Sequence, residues 1–196
     1  MPSSRRVVLA STSRYRQGLL ERLGMPFECA DPRIGEAALP GEAPAATALR
    51  LAEAKARAVA IRFPDSLVIG SDQVASCDGA RLDKPGNHAN AVRQLTLVSG
   101  KTAVFDTAVA LLDTKSSRLD ARVVPCRVTF RSLSAAQIER YLRLEQPYDC
   151  AGSAKAEGLG IALIAGMETE DPTSLVGLPL IALCEMLRDA GFDVLG

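Results

Sequence analysis

The sequence predicts an α/β fold with a mixed, partly antiparallel sheet flanked by helices. Three observations lead there. Short β-branched-rich runs alternate with helix-period stretches toward both ends of the chain. Between them, two strand-like runs, Thr102 to Leu112 and Leu119 to Phe130, are separated only by the turn Asp113-Thr114-Lys115-Ser116-Ser117, so they form a long antiparallel pair. No internal repeat or low-complexity linker interrupts this order, and 196 residues fit one large domain or two closely joined lobes.

In chain order, Arg5 to Ala10 reads as a first strand around Val7-Val8-Leu9. Ser11-Thr12-Ser13 supplies helix-capping hydroxyls. A helix from about Arg14 to Leu23 follows, with Leu19, Leu20 and Leu23 inward and Gly24 as its stop. Phe27 to Ala30 is a short strand. Asp31 to Pro44 carries three prolines and two glycines and is a loop holding Glu36 and Glu42. Ala45 to Arg62 is a long helix with Leu49, Ala52, Ala56, Val59 and Phe63 as its apolar stripe and Lys55 beside that stripe. Leu67 to Val74, LVIGSDQV, is a buried strand that runs through Gly70 to end at Asp72-Gln73. Its Gly lets the backbone bend or a ligand approach.

Cys77-Asp78-Gly79-Ala80 is a hairpin turn. Lys84 precedes Pro85 and is biased to an extended conformation, which presents its side chain from a loop. Asn87 caps a helix through Leu97, with His88 as a surface residue in the first turn. Ser134 and Gln137 form a capping box before a helix to about Leu144. Gln146 to Gly160 breaks the periodicity and carries Lys155 and Glu157, so it reads as an active-site loop. Ile161 to Ile164 is a short strand. Asp171-Pro172-Thr173-Ser174 opens a turn, and the helix after it starts at Pro179 and closes at Gly191.

Composition removes several classes of function. The 23 basic and 23 acidic residues balance, so no field of one sign is available for a nucleic-acid backbone or an anionic membrane. Trp is absent and aromatics are few, which argues against base-stacking platforms. Five scattered cysteines with no CxxC pair read as reduced thiols, and the apolar run Val7 to Ala10 is too short for a signal-peptide core or a membrane span. The expected location is the cytoplasm. No Walker A loop, no GxGxxG opening the first helix and no HExxH occur.

What remains is a set of polar residues at exceptional positions: Ser11, Ser13, Arg16, Glu36, Lys55, Asp72, Gln73, Lys84, Lys155 and Glu157. Ser11 and Ser13 stand where a strand gives way to a helix N-terminus, a place that binds phosphate. A local basic cluster in a neutral protein suits a small polyanion such as a nucleotide. Carboxylates among cations suit Mg²⁺, which takes one or two carboxylates plus substrate phosphates. Attack of water on a phosphoanhydride needs positioned cations, a metal and a base for the water, and Asp72 is the expected chemical centre.

The segments LASTSRYR (Leu9 to Arg16), LRLAEAKA (Leu49 to Ala56), IGSDQV (Ile69 to Val74), DKP (Asp83 to Pro85), CAGSAKAEGLGI (Cys150 to Ile161) and LVGLPL (Leu175 to Leu180) together resemble the Maf family of nucleoside triphosphate pyrophosphatases, in family order. GSDQ with CAGSAKAEG and VGLPLIALC is more similar to its 7-methyl-GTP subgroup than to its dTTP/UTP subgroup. The resemblance implies a Maf/ITPase-like fold of two lobes around a cleft, often in a homodimer. It implies release of diphosphate from a nucleoside triphosphate with a divalent metal, Mg²⁺ or Mn²⁺. By motif it gives Asp72 the role of general base or metal-linked carboxylate, and Glu36 a part in holding metal. Arg16, Lys55 and Lys84 would hold the triphosphate, with Ser11, Ser13 and Lys155 as further substrate contacts. Tyr15, Gln73 and Glu157 would set specificity, Tyr15 by stacking on a cationic base. Two positions depart from the family pattern: Ser13-Arg14 stands in place of Ser-Pro, and Gly35-Glu36 in place of two acids. The alternatives are a nucleotide-binding regulator of cell division, or a pyrophosphatase preferring dTTP or UTP.

Overall fold

The computed structural model describes residues 5–196. The fold is mixed α/β, as the alternation of runs predicts. The strands lie in the order β2-β1-β3-β5-β6-β7, with β4 paired to β3. The chain divides into two compact units, 1–73 with 107–124 and 171–196, and 74–106 with 125–170.

The first unit is built on β1 (Arg6–Leu9), which pairs in parallel with both β2 (Glu28–Cys29) and β3 (Ser66–Cys77). Parallel neighbours need covered faces, and Val7, Val8, Leu67, Val68 and Ile69 are all buried. α1 (Arg14–Glu21) begins at Ser13, whose side chain accepts from Arg16 N and so caps the helix. Leu19 and Leu20 of α1 join Leu183, Met186 and Leu187 of α5 (Leu180–Asp189) in the same core as Val7, Leu9 and Ile69. Each leucine so buried contributes about 1.5–3 kcal/mol.

α2 (Pro44–Ala60) buries Ala52, Ala56 and Val59 as expected, but its face is turned away from Leu49. Its buried residues are Thr47, Ala48, Leu51, Ala52, Lys55, Ala56 and Val59, while Leu49 is only half-buried. Lys55 therefore lies inside the stripe and not at its margin. The small residues Ala48, Ala52 and Ala56 let the helix backbone press onto β3, and this contact outweighs the larger Leu49. At Gly70 a Cβ would collide with Ala52 O and stand 2.9 Å from Ala56 N, so that glycine admits the helix and not a bend or a ligand.

β3 also runs further than its apolar segment, to Cys77, which places Asp72 within the strand and not at its end. The extension follows from β4 (Ala80–Arg81), which pairs with Ser76 and Cys77 across a turn with positive φ at Asp78 and Gly79.

The second unit holds this hairpin, α3 (His88–Val98) and α4 (Ala135–Glu145), with α3 packed on α4. α4 shows the expected capping box, with Ile138, Tyr141 and Leu142 buried. β5 (Thr102–Asp113) and β6 (Arg118–Phe130) are adjacent in the sheet and joined by the short link 114–117, which only antiparallel neighbours allow. Residues 159–163 are a 3₁₀ turn, and β7 (Ile164–Glu168) begins where the expected strand ends. Leu159 N donates to Glu145, which folds the segment back before it reaches β6. Among the described residues no helix is long and apolar enough to cross a membrane, and all five cysteines are unpaired.

Candidate active site

Two periodicities build the site. In β3 side chains alternate, so Gly70 and Asp72 share one face and Ser71 and Gln73 the other. In α2, residues three and four apart share a face. With Ala52 and Ala56 against Gly70, Lys55 comes to Asp72. Its Nζ donates to Asp72 Oδ1 at 2.7 Å. The same Nζ lies 2.6 Å from Oε1 of Glu36, which reaches in from the loop 31–43. Side-chain exposures are 5% for Lys55, 10% for Asp72 and 59% for Glu36, so the ammonium is buried between one covered and one open carboxylate.

Arg16 supplies a second cation. Burial pushes its guanidinium below its ordinary pKa, and Asp72 and then Glu36 oppose that shift through their charge. Its Nε donates to Gly177 O at 2.7 Å. Arg50, which no sequence pattern singled out, also feels the charge of Asp72. It is held by both carboxylate oxygens of Glu42, at 2.6 and 2.7 Å, and donates to Ala37 O. Thr47 Oγ1 and Leu39 N donate to the same carboxylate. Glu42 thus fixes the loop that carries Glu36. Glu42 and Arg50 stand eight positions apart across a loop–helix boundary, outside any helical spacing, which is why sequence reasoning passed over Arg50.

The other face of β3 meets the turn 171–180. Ser71 Oγ donates to Gly177 O, and Gln73 Nε2 lies within hydrogen-bond distance of Thr107 Oγ1, Ser174 O and Leu175 O. The donors of Gln73 are therefore directed to protein groups, on the side of β3 away from Asp72. Ser11 is buried and its Oγ accepts from Ser13 N, while Ser13 caps α1. The Arg14 guanidinium lies 4.9 Å over the ring of Tyr15 and donates to its hydroxyl, so one face of that ring is already stacked.

The structure thus brings Asp72, Lys55, Glu36 and Arg16 together in one unit. Lys84, Lys155 and Glu157 belong to the other unit. Lys84 is exposed before Pro85. Lys155 Nζ is 2.8 Å from Glu145 Oε1, an ion pair that raises the lysine's pKa and lowers that of Glu145. Glu157 is exposed. His88, expected at the surface, is 41% exposed in its side chain and bridges Tyr148 Oη and Glu139 Oε2 at 3.0 and 2.9 Å.

No group of three or more His, Cys, Asp or Glu among the described residues could hold a metal by itself. Asp72 and Glu36 converge on one ammonium, and two such carboxylates could hold a hard cation only together with substrate phosphates and water.

A buried carboxylate held by a lysine, with a buried arginine in the field of its charge, stands here on an α/β frame. The family model described as Maf-like protein matches residues 6–190, and the chain belongs to that family. A protein of Albidiferax ferrireducens named 7-methyl-GTP pyrophosphatase is 54% identical over 195 residues, covering 100% of this chain and 98% of its own. Proteins of the same name from a Polaromonas species (57%; 97% of this chain and 87% of that one) and from Methylobacillus flagellatus (56%; 96% and 98%) are similar.

Proposed function

We propose that the chain hydrolyses 7-methyl-GTP between its α and β phosphates, giving 7-methyl-GMP and diphosphate. The observation that carries the chemistry is Asp72, buried and held by Lys55 beside Arg16. The choice of nucleotide rests on the names of relatives that are 54–57% identical over nearly the whole chain. Lys55 and Arg16 neutralise the phosphates. Asp72 accepts the proton of the attacking water as its oxygen bonds to the α phosphorus, and the bond to the bridging oxygen breaks so that diphosphate leaves with the electron pair. A divalent cation, Mg²⁺ or Mn²⁺, held by Asp72 and Glu36 would withdraw charge from the phosphate oxygens when bound. A homodimer and a cytoplasmic location complete the proposal; the family resemblance supports the first and the five unpaired cysteines the second.

Diphosphate release from 7-methyl-GTP with Mg²⁺, wild type against Asp72→Asn, tests this reading. The variant is expected to bind the nucleotide and to lose turnover by about 10²–10⁴, the usual worth of a positioned base. Equal turnover by the two proteins would remove Asp72 from the chemistry. Nucleotide binding without turnover by the wild type would favour a regulatory binder. The role the resemblance gives Glu157 is checked separately: Glu157→Ala should lower the ratio of rates on 7-methyl-GTP and GTP, and an unchanged ratio would remove that role.

A further inference from the structure

The turn 171–180 presents backbone carbonyls to three side chains, Arg16, Ser71 and Gln73. Gly177 O receives both Arg16 Nε and Ser71 Oγ, and the carbonyls of Ser174 and Leu175 face Gln73 Nε2. A carbonyl is a useful anchor only if its own backbone is fixed. Gly177 has φ of 119°, a conformation open to glycine and rare for other residues, so the turn has to be held from elsewhere.

Asp171 and Thr173 do this. Asp171 is 2% exposed. Its Oδ1 accepts from Thr173 N at 3.0 Å and stands 2.6 Å from Thr173 Oγ1, and its Oδ2 accepts from Ile181 N at 2.7 Å. Thr173 Oγ1 accepts in turn from Leu180 N at 2.8 Å and lies 2.8 Å from Leu178 O. One carboxylate and one hydroxyl thus tie the start of the turn to its end and to the first turn of α5. The clasp spans Gly177 and pins the carbonyl that sets Arg16.

We infer that Asp171 and Thr173 are positioning residues for Arg16, acting through Gly177 O. This rests on the proposed function in that Arg16 is taken to hold substrate phosphate. With Nε committed to Gly177, the guanidinium offers its Nη groups to a ligand in one orientation. Releasing the turn leaves Arg16 charged and present but unaimed.

The test is a double-mutant cycle of Asp171→Asn with Arg16→Ala, read both as kcat/KM on 7-methyl-GTP and as equilibrium binding of the same nucleotide. Asn replaces one of the two accepting oxygens with an N–H donor, so either the bonds to Thr173 or the bond from Ile181 N is lost. Asp171→Asn alone is expected to lower kcat/KM by about 10–100-fold, since a 1 Å misplacement can cost about 10²-fold. In the Arg16→Ala background the same change should cost less than about 3-fold, because its target is gone. Thr173→Ser, which keeps the hydroxyl, should retain wild-type turnover, whereas Thr173→Val should resemble Asp171→Asn. Thr173→Val serves as the second arm should Asp171→Asn fail to fold. Additive losses, or equal losses in Thr173→Ser and Thr173→Val, would overturn the inference, because a merely structural role produces them. Binding without turnover by the wild type would overturn the enzymatic reading while the cycle is still scored on affinity. Neither binding nor turnover would overturn both.

Discussion

Gly70→Ala is the sharpest perturbation of the geometry that joins α2 to β3. The added methyl would collide with Ala52 O and stand 2.9 Å from Ala56 N and 3.1 Å from Ala52 C, where ordinary contact begins at 3.4 Å. All three atoms are helix backbone, so no side chain can rotate away. α2 has to retreat by about 1 Å or more, because a close-packed interior has no slack to absorb the methyl locally. Overpacking of this kind costs about 1–3 kcal/mol. For a chain of this size that is a fall in Tm of roughly 2–12 °C. The retreat also carries Lys55 from Asp72, since both contacts lie along one line of the helix. A shift of about 1 Å at a catalytic contact predicts a loss of turnover near 10²-fold. Thermal unfolding and diphosphate release, the latter measured well below the variant's Tm, read the two effects apart. A variant with wild-type Tm and wild-type turnover would refute the claim that the Gly70 contact sets the Lys55–Asp72 pair.

Two further predictions concern the loops. Arg50 holds the Glu42 carboxyl down to about 2 against the opposing effect of burial, with help from Leu39 N and Thr47 Oγ1. Because the folded value lies below the ordinary one of 4.5, this stabilisation is full above about pH 5 and fades as pH falls through 4.5 toward 2. The Tm difference between wild type and Glu42→Gln should therefore be largest at neutral pH and shrink in acid; a difference that grows in acid would refute the assignment. Glu145 accepts from Lys155 Nζ with one oxygen and from Leu159 N with the other. Glu145→Ala should speed hydrogen exchange at the Leu159 amide by about 10-fold or more, as expected for losing a charged hydrogen bond; unchanged exchange would show that the loop is held by other contacts.

Much of the fold was legible because its signals are local. The Ser134–Gln137 capping box and the Asp78-Gly79 turn need only neighbouring residues, and both stand as read. The errors arose where a tertiary contact decides. The apolar residues of α2 recur on more than one line of the helix, and the line that is buried is the one with alanines small enough to meet a glycine on another element. Asp72 sits within its strand because β4 extends the pairing, which the apolar run Leu67 to Ile69 does not announce. Within the site, the positions of Asp72, Lys55, Glu36 and Arg16 mark them in the sequence, but the approach of Lys55 to Asp72 depends on Gly70. Asp171 and Thr173 open a turn, as their sequence suggests. An Asp two residues before a Thr is an ordinary Asx-turn pattern, and nothing local marks the carbonyl it secures.

The division of the chain has a consequence for how the molecule comes into being. The unit that holds Asp72 is assembled from three separate stretches, and β3, β5 and β6 each cross from one unit to the other along their length. Its core joins Val7 and Leu9 to Leu183, Leu187 and Phe192. During synthesis, β1 and β3 are thus exposed from the ribosome as apolar strands long before α5 exists to cover them. Neither unit can be excised as a continuous fragment, and closure must wait for contacts between the extremes of the chain, the kind of long-range pairing that slows folding. Residues 183–192 complete the hydrophobic core around the strand that carries Asp72, made more than a hundred residues earlier, so a ribosome that stalls before α5 leaves that strand without its cover.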